Sequence, residues 1–407
     1  MFSFLKINLL PAFEKVFLGT LIFYALFNAL FLNLTTDNHQ QFVYLADSFL
    51  HGQLSFREIP GSQLDLAWYG GKPYWHLGPF PAILLMPFVL LFGTAFRQGY
   101  VQFLLTCLNG SLLYLLALRL GIQKKLHALW LAFAYLFGSM FLAVAIDSTS
   151  WRFSQTIATT LVLVALFEYF GRKRFWLIGL LMALVFATRA NILLGIAFFV
   201  LDIVFEKYDW KKKLRELVVL FAPVFFMGCL LLLYNYTRFN NLFENGYRLA
   251  PLSSLPEWFK NLEYTGKLFS LRYIPTNIYY YFLKGLSSVP LSSESTILKA
   301  PFITLDRHGF SVLLSAPFFI FVLLANTKEK IVRQAWVASV LILFTLLTYY
   351  ISGFSLHRAL SHRYFLDLTP FLYIMLIRAL QPKLSVPVRI LIVLSFALNF
   401  YLINTFS

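Results

Sequence analysis

The sequence predicts an all-α, polytopic transmembrane protein, and three observations carry that expectation. The 407 residues are 59% hydrophobic and only 13% charged. A chain this long with so much apolar surface has the bilayer as its main solvent. Apolar stretches recur at 13–33, 80–96, 100–119, 127–146, 153–170, 175–188, 191–206, 217–236, 309–326, 334–351, 364–381 and 388–405. Several are near the ~20 residues that an upright helix uses to cross; others are shorter. Between them the basic residues fall into short clusters, as membrane topology requires. The clustering also removes nucleic acid as the reason for the formal net charge of +16. The bilayer itself is the expected partner.

The first stretch, 13–33, is too long for a signal-peptide core and lacks a small-x-small cleavage site, so it reads as a retained anchor. The loop after it, 34–79, is polar and rich in aromatics. A loop that long between two apolar segments is more often functional than not. Stretch 80–96 is short and interrupted by Pro81 and Pro87, with Pro79 just ahead of it. It reads as a re-entrant or surface helix in the first outer loop. With that segment not crossing, the clusters Arg119/Lys124/Lys125, Arg172/Lys173/Arg174, Lys207 to Arg215, Lys328/Lys330/Arg333 and Arg378/Lys383/Arg389 all face the cytoplasm. About 11 crossings result, with the N-terminus inside.

Residues 175–206 must leave the cytoplasm and return within one short hairpin. At 1.5 Å per residue its arms span only ~20–25 Å, less than the ~30 Å hydrocarbon core. The turn Thr188-Arg189-Ala190-Asn191 therefore falls below the outer surface. An arginine there is costly unless it caps helix carbonyls or meets water or an anion. Two further outer loops follow, 237–308 with amphipathic stretches near 256–286, and Gly353 to Arg363. The organisation expected is a catalytic transmembrane module over 1–206, including outer loop 34–99. A variable transmembrane module follows over 207–407, including outer loop 237–308.

Cys107 and Cys229 lie inside apolar runs and form no disulfide framework. The largest inner loop, 206–216, is far too short for a nucleotide-sugar domain of the Rossmann type. No Walker or dinucleotide fingerprint occurs. An enzyme built this way takes an activated substrate already at the outer leaflet, and a polyprenyl phosphate carrying a sugar fits.

The candidate polar chemistry is all on the outer face. Asp37 stands where the first span ends, either as a general base for an attacking hydroxyl or as a solvated helix flank. Asp147 is a second acid at such a point, or an N-cap for the next helix, with Arg152 beside it. Arg189, Arg358 and Arg363 offer the fork that suits phosphate oxygens; the alternative for the last two is snorkelling at the membrane edge. No cofactor is expected. A divalent metal held by Asp37, His39 and His362 is the alternative, without the spacing of a known zinc motif.

These residues resemble the GT-C superfamily of integral-membrane glycosyltransferases. The resemblance runs over most of the chain and is strongest in the first 190 residues. It rests on Asp37, on Tyr44-Leu45-Ala46 with Leu50-His51-Gly52, and on Tyr74-Trp75-His76-Leu77-Gly78-Pro79-Phe80-Pro81. Asp147, Gly179-Leu180 with Arg189, Tyr234-Asn235, Arg238-Phe239, Gly246-Tyr247, Ser315-Ala316-Pro317 and Arg363-Tyr364-Phe365 continue it. It departs where many members have Asp-Glu and this chain has Asp37-Asn38, and where Asp147 lacks a paired carboxylate. The resemblance implies an inverting transfer from a polyprenyl-monophosphate sugar to an acceptor hydroxyl of a glycan, lipid or protein. Asp37 would be the base. Arg189, Arg358, His362 and Arg363 would stabilise the departing phosphate, and Tyr74 and Trp75 would stack on the sugar. It implies an outward-facing site, with a bacterial cytoplasmic membrane the expected location. The rival class is a multi-spanning transporter or lipid flippase, favoured by the interrupted 175–206 hairpin. A third is a scaffold without activity.

The charge map is open to test by single-cysteine labelling in a background without Cys107 and Cys229. Cysteines placed beside Lys124 or Lys212 are expected to resist a membrane-impermeant reagent in intact cells and to react after lysis. Labelling from outside would overturn the map.

Overall fold

A computed structural model describes residues 2–35, 39–63, 65–250, 269–292, 296–304, 309–349 and 363–406. Asp37, Arg358 and His362 lie outside the described residues. Among the described residues, five helices are long and apolar enough to cross a bilayer: α1 (Phe2–Thr35, of which Ala12–Thr35 is the apolar part), α4 (Gly99–Arg119), α10 (Trp210–Phe239), Lys330–Thr348 and Val386–Phe406. Shorter apolar helices lie between them. The chain is an integral membrane protein.

Several expected spans are broken, each at an identifiable residue. Stretch 127–146 divides into α5 (Lys125–Leu136) and α6 (Phe141–Ala145). At the break the Ser139 hydroxyl donates to Tyr135 O at 2.5 Å and accepts from Phe141 N–H at 3.1 Å. A serine that satisfies backbone groups in this way competes with the helix ladder. Stretch 309–326 gives one helical turn, Val312–Ser315, then a 3₁₀ segment that begins at Pro317. α7 (Ser150–Tyr169) is continuous. Ahead of it, Asp147 accepts the Thr149 N–H at 2.9 Å, a local turn that lets the helix begin.

The expected short hairpin is present. α8 (Phe175–Phe186) has 12 residues and is about 18 Å long. The chain turns at Thr188–Arg189 and returns through the 3₁₀ segment Ala190–Ile196 and α9 (Ala197–Phe205).

The described residues are mostly helical, as expected of an all-α chain, with short strands added outside the spans. Two small antiparallel hairpins occur, β1 (Leu66–Tyr69) with β2 (Lys72–Trp75), and β3 (Ser287–Pro290) with β4 (Leu298–Thr304). The first turns at Gly70-Gly71, both at positive φ, a pairing that favours tight hairpins. The first outer loop otherwise contains α2 (Gln41–Leu50) and α3 (Phe80–Phe92). Phe42, Leu45, Leu66, Trp75, Leu85 and Phe153 form its own core, which reaches onto α7. Leu90, Leu91 and Phe92 at the end of α3 are exposed. A single larger core runs across the expected boundary at 206, joining α1, α4, α5, α7, α8 and α9 to residues of 330–348, 369–380 and 386–406.

Residues assigned to the cytoplasmic side meet one another. Glu14 of α1 pairs with Arg389 and accepts from Trp130 Nε1 at 2.8 Å. Glu329 accepts from Arg378 Nε at 2.6 Å. Asp202, 2% exposed, receives Lys330 Nζ at 2.9 Å, the Tyr169 hydroxyl at 2.8 Å, and Lys173. Glu206 receives Lys330 at 2.8 Å. The cluster ties the α7–α8 turn and α9 to the start of helix Lys330–Thr348. Asp202→Ala removes the buried carboxylate between Lys173 and Lys330 and leaves them only the more exposed Glu206, 3.8 and 2.8 Å away. The side chains of both lysines are about one-third exposed, so the expected loss sits at the lower end for breaking a buried pair, about 3 kcal/mol. Thermal unfolding of the detergent-solubilised variant measures it.

Candidate functional site

The first two turns of α7 organise the outer end of the molecule. Trp151, Arg152 and Gln155 project from them to three different parts of the chain. Trp151 packs edge-to-face on Trp75 at 5.8 Å between ring centroids and against His39 at 5.4 Å. Arg152 forms a buried ion pair with Asp147, their side chains 7% and 9% exposed. Gln155 Nε2 donates to Arg363 O at 2.6 Å, and its Oε1 accepts from Arg363 Nη1 at 3.4 Å.

Arg189 meets the same group from the tip of the short hairpin. Its Nη2 donates to Asp367 Oδ2 at 3.0 Å, and Asn191 Nδ2 donates to the same oxygen. Gln155 Nε2 lies 3.5 Å from the other Asp367 oxygen. The guanidinium carbon of Arg189 is 5.4 Å from the Tyr364 ring centre and that of Arg363 is 4.7 Å from it. Two arginines thus share one aromatic ring, a favourable placement for cations. The expectation is that Arg189 caps helix carbonyls or meets water or an anion, and the anion it meets here is a side chain of this chain. Its charge is already balanced by Asp367, a residue not anticipated, because an aspartate inside an apolar stretch 178 positions away carries no local signal.

A third arm comes from the first outer loop and the start of loop 237–308. Phe80 N–H donates to Ala187 O at 3.1 Å, fastening the loop to the turn before Arg189. His76 lies 4.4 Å from Tyr247, ring to ring, edge-to-face. Its Nδ1 is 2.8 Å from Asp65 O, so Nδ1–H donates and Nε2 is left as the base. Burial pushes the His76 imidazole below the ordinary histidine range, against the opposing pull of the Asp65 charge. Burial also pushes the Tyr247 phenol well above its usual range, with Tyr364, Arg189, Asp65 and Arg363 all within electrostatic reach. At neutral pH it is a neutral hydroxyl.

Asp147, Arg152, Arg189 and Arg363 therefore converge around α7. Asp147 is engaged on both oxygens, by Thr149 N–H and by Arg152. That suits a holding role better than proton abstraction. Tyr74 and Trp75 need a correction. Trp75 has no exposed surface and Tyr74 has 9%. Trp75 packs on Phe42 and Trp151, and Tyr74 on Phe239. Neither offers a face to a sugar. Exposed rings of this loop include Trp68 and Tyr69, 40% and 41% exposed at the hairpin tip. Among the described residues no three His, Cys, Asp or Glu side chains gather to hold a metal ion; Asp37 and His362 fall outside them.

No family model and no curated protein matches the chain. Two solved structures resemble it. One is the oligosaccharyltransferase of Archaeoglobus fulgidus in the apo form, at 13% identity and a TM-score of 0.46, over 94% of this chain and 55% of that one. The other is the archaeal oligosaccharyltransferase AglB from Archaeoglobus fulgidus in complex with an inhibitory peptide and a dolichol-phosphate. It shows 14% identity and a TM-score of 0.45, over 96% of this chain and 56% of that one. The chain spans little more than half the length of either. At these values neither likeness assigns an activity.

His76 carries a pH expectation. Its folded pKa lies below the ~6.5 of an unfolded histidine. Between those two values the unfolded state binds more protons, so stability falls as pH drops through that window. The melting temperature of the protein is expected to fall between about pH 7 and about pH 5, and His76→Gln to flatten that slope. An equal slope in both proteins would remove His76 as the cause.

Proposed function

We propose that this protein is a membrane glycosyltransferase. It moves a sugar from a polyprenyl-monophosphate carrier to an acceptor hydroxyl at the outer face of a bacterial cytoplasmic membrane, with inversion at C1. The observation that carries the reading is the convergence of Arg189 and Arg363 on Tyr364, beside the Asp147–Arg152 pair and at the outer end of α7. Such a cluster of fixed cations is what a departing phosphate needs. The GT-C pattern in the sequence agrees with it.

The acceptor oxygen attacks C1 of the sugar, and Asp37 takes its proton. The bond from C1 to the phosphate oxygen breaks, and the carrier phosphate leaves with the electron pair. Arg363, whose side chain among the described residues meets Gln155 and the Tyr364 hydroxyl through long contacts of 3.4 Å, is the cation most available to it. Arg358 and His362 precede it in the chain and belong to the same proposed phosphate site. Arg189, its charge balanced by Asp367, braces the Tyr364 ring on which Arg363 also packs. Arg152, held by Asp147, fixes the start of α7. The acceptor is a glycan, a lipid or a protein.

The proposed topology has about 11 crossings, with α3 lying in the outer leaflet. Broken helices at Ser139 and Pro317 favour the second reading, a transporter or flippase, because interrupted helices line substrate paths in that class.

The test uses purified protein and a panel of radiolabelled polyprenyl-phosphate sugars, read as release of polyprenyl phosphate. Asp37→Asn is expected to lower turnover by about 10²–10⁴-fold with the protein still folded, because the amide keeps the shape and loses the basicity. Arg363→Lys keeps the charge but loses the fork, and is expected to raise the donor KM more than the acceptor KM. Near-normal turnover by a folded Asp37→Asn protein would sink the assignment. Lipid movement without transfer would favour the flippase.

A further inference from the structure

Gln98 precedes α4 and has no exposed surface. Its side-chain amide nitrogen donates to Ser148 O and lies 3.4 Å from both His39 O and the Ser150 hydroxyl. Its backbone N–H donates to Gln40 Oε1 at 2.9 Å. The Ser150 hydroxyl and N–H each donate to His39 O at 2.9 Å. On the two sides of Gln98, Arg97 donates to Leu34 O and Gly99 lies against Asn33 O. A Cβ at Gly99 would come within 2.2 Å of that oxygen, so only glycine allows the approach. Asn33 Nδ2 in turn donates to Ala145 O at 2.6 Å. Three segments distant in sequence are therefore joined: the end of α1 with the start of the first outer loop, residues 97–99 ahead of α4, and the loop that carries Asp147.

The amide has one workable orientation. Three oxygens face its nitrogen, and Gln98 Oε1 has no hydrogen-bond partner among the described residues. Turning the amide over would set an oxygen against carbonyls, a substantial cost in a buried site. A leucine or methionine would fill the space without the cost of an orphaned acceptor. A glutamine that keeps an unsatisfied oxygen is explained by what its nitrogen holds.

We propose that Gln98 is a positioning residue, a latch that sets the chain on either side of residues 36–38 against the Asp147–Arg152 loop. For what the latch serves, this rests on the sugar-transfer reading, which places the base at Asp37. The latch itself does not depend on that reading.

The experiment is hydrogen exchange on the full chain in detergent, comparing the parent protein with Gln98→Met and the milder Ser150→Ala. Gln98→Met removes the donor at similar volume. Exchange at amides of 39–46 and 147–153 is expected to quicken by about tenfold, as the loss of buried hydrogen bonds implies. Control amides at the inner ion pairs, 171–176 and 328–334, are expected to keep their rates. Ser150→Ala should act at the same amides to a smaller degree. Where transfer is measurable, Gln98→Met is expected to lower turnover about tenfold while the donor KM holds. Unchanged exchange at both loops overturns the latch, and so does equal quickening at the inner controls. Local quickening in a protein that transfers no sugar keeps the latch and removes the sugar-transfer reading.

Discussion

The pairing of Arg189 with Asp367 joins the tip of a short hairpin to the last third of the chain, and the outer half of the molecule is arranged around it. A guanidinium with 8% exposure and a carboxylate with 1% can coexist only as partners. Once that pair is set, Asn191 and Gln155 are fixed beside it and Tyr364 is placed between two arginines. The inner half obeys the same constraint with different residues. Glu14, Asp202, Glu206 and Glu329 each find a basic partner from a distant segment. Helices too short or too broken to be positioned by length alone are positioned by where their charges meet.

The membrane class and the order of the apolar segments were legible in the sequence, because both depend on composition and on the placement of lysine and arginine. The short hairpin was legible too, since two basic clusters bounded too few residues for two full spans. What could not be read were the breaks. Ser139 interrupts its helix through hydrogen bonds of its own side chain, and nothing in the surrounding apolar run announces them. The β1–β2 hairpin did have a signal in Gly70-Gly71, between two short aromatic-bearing stretches. The density of aromatics around it pointed to ligand stacking, and Trp75 turned out to be core.

The candidate site was half legible. Arginines in outer loops are conspicuous, and Arg189 and Arg363 meet at Tyr364, while Arg152 sits one turn before Gln155 on α7 and pairs with Asp147. Their counter-charges and supports are ordinary residues within apolar stretches. Asp367 follows Arg363 by one helical turn, and Gln155 lies one turn beyond Arg152. Neither has a local pattern to mark it. Asp147 was legible as an acid at a boundary, but its engagement by Arg152 depends on the turn that starts α7. The result is a region in which Arg152 and Arg189 are already compensated and Arg363 is, among the described residues, the least committed cation, an arrangement suited to receiving one more negative group.

The long separation between Arg189 and Asp367 has a consequence for how the protein is made. They are 178 positions apart, and a ribosome adding ~5–20 residues per second needs about 10–35 s to travel between them. During that interval the hairpin has left the insertion machinery with its arginine and without its aspartate. The tip of α8 and α9 must be tolerated at the membrane edge, drawn toward water or held by a companion protein, until the segment beginning at Arg363 arrives. Final seating of the hairpin is then a late event in biogenesis, completed after most of the other helices are in place. Any lesion in the last third of the chain is felt first at a turn synthesised long before it.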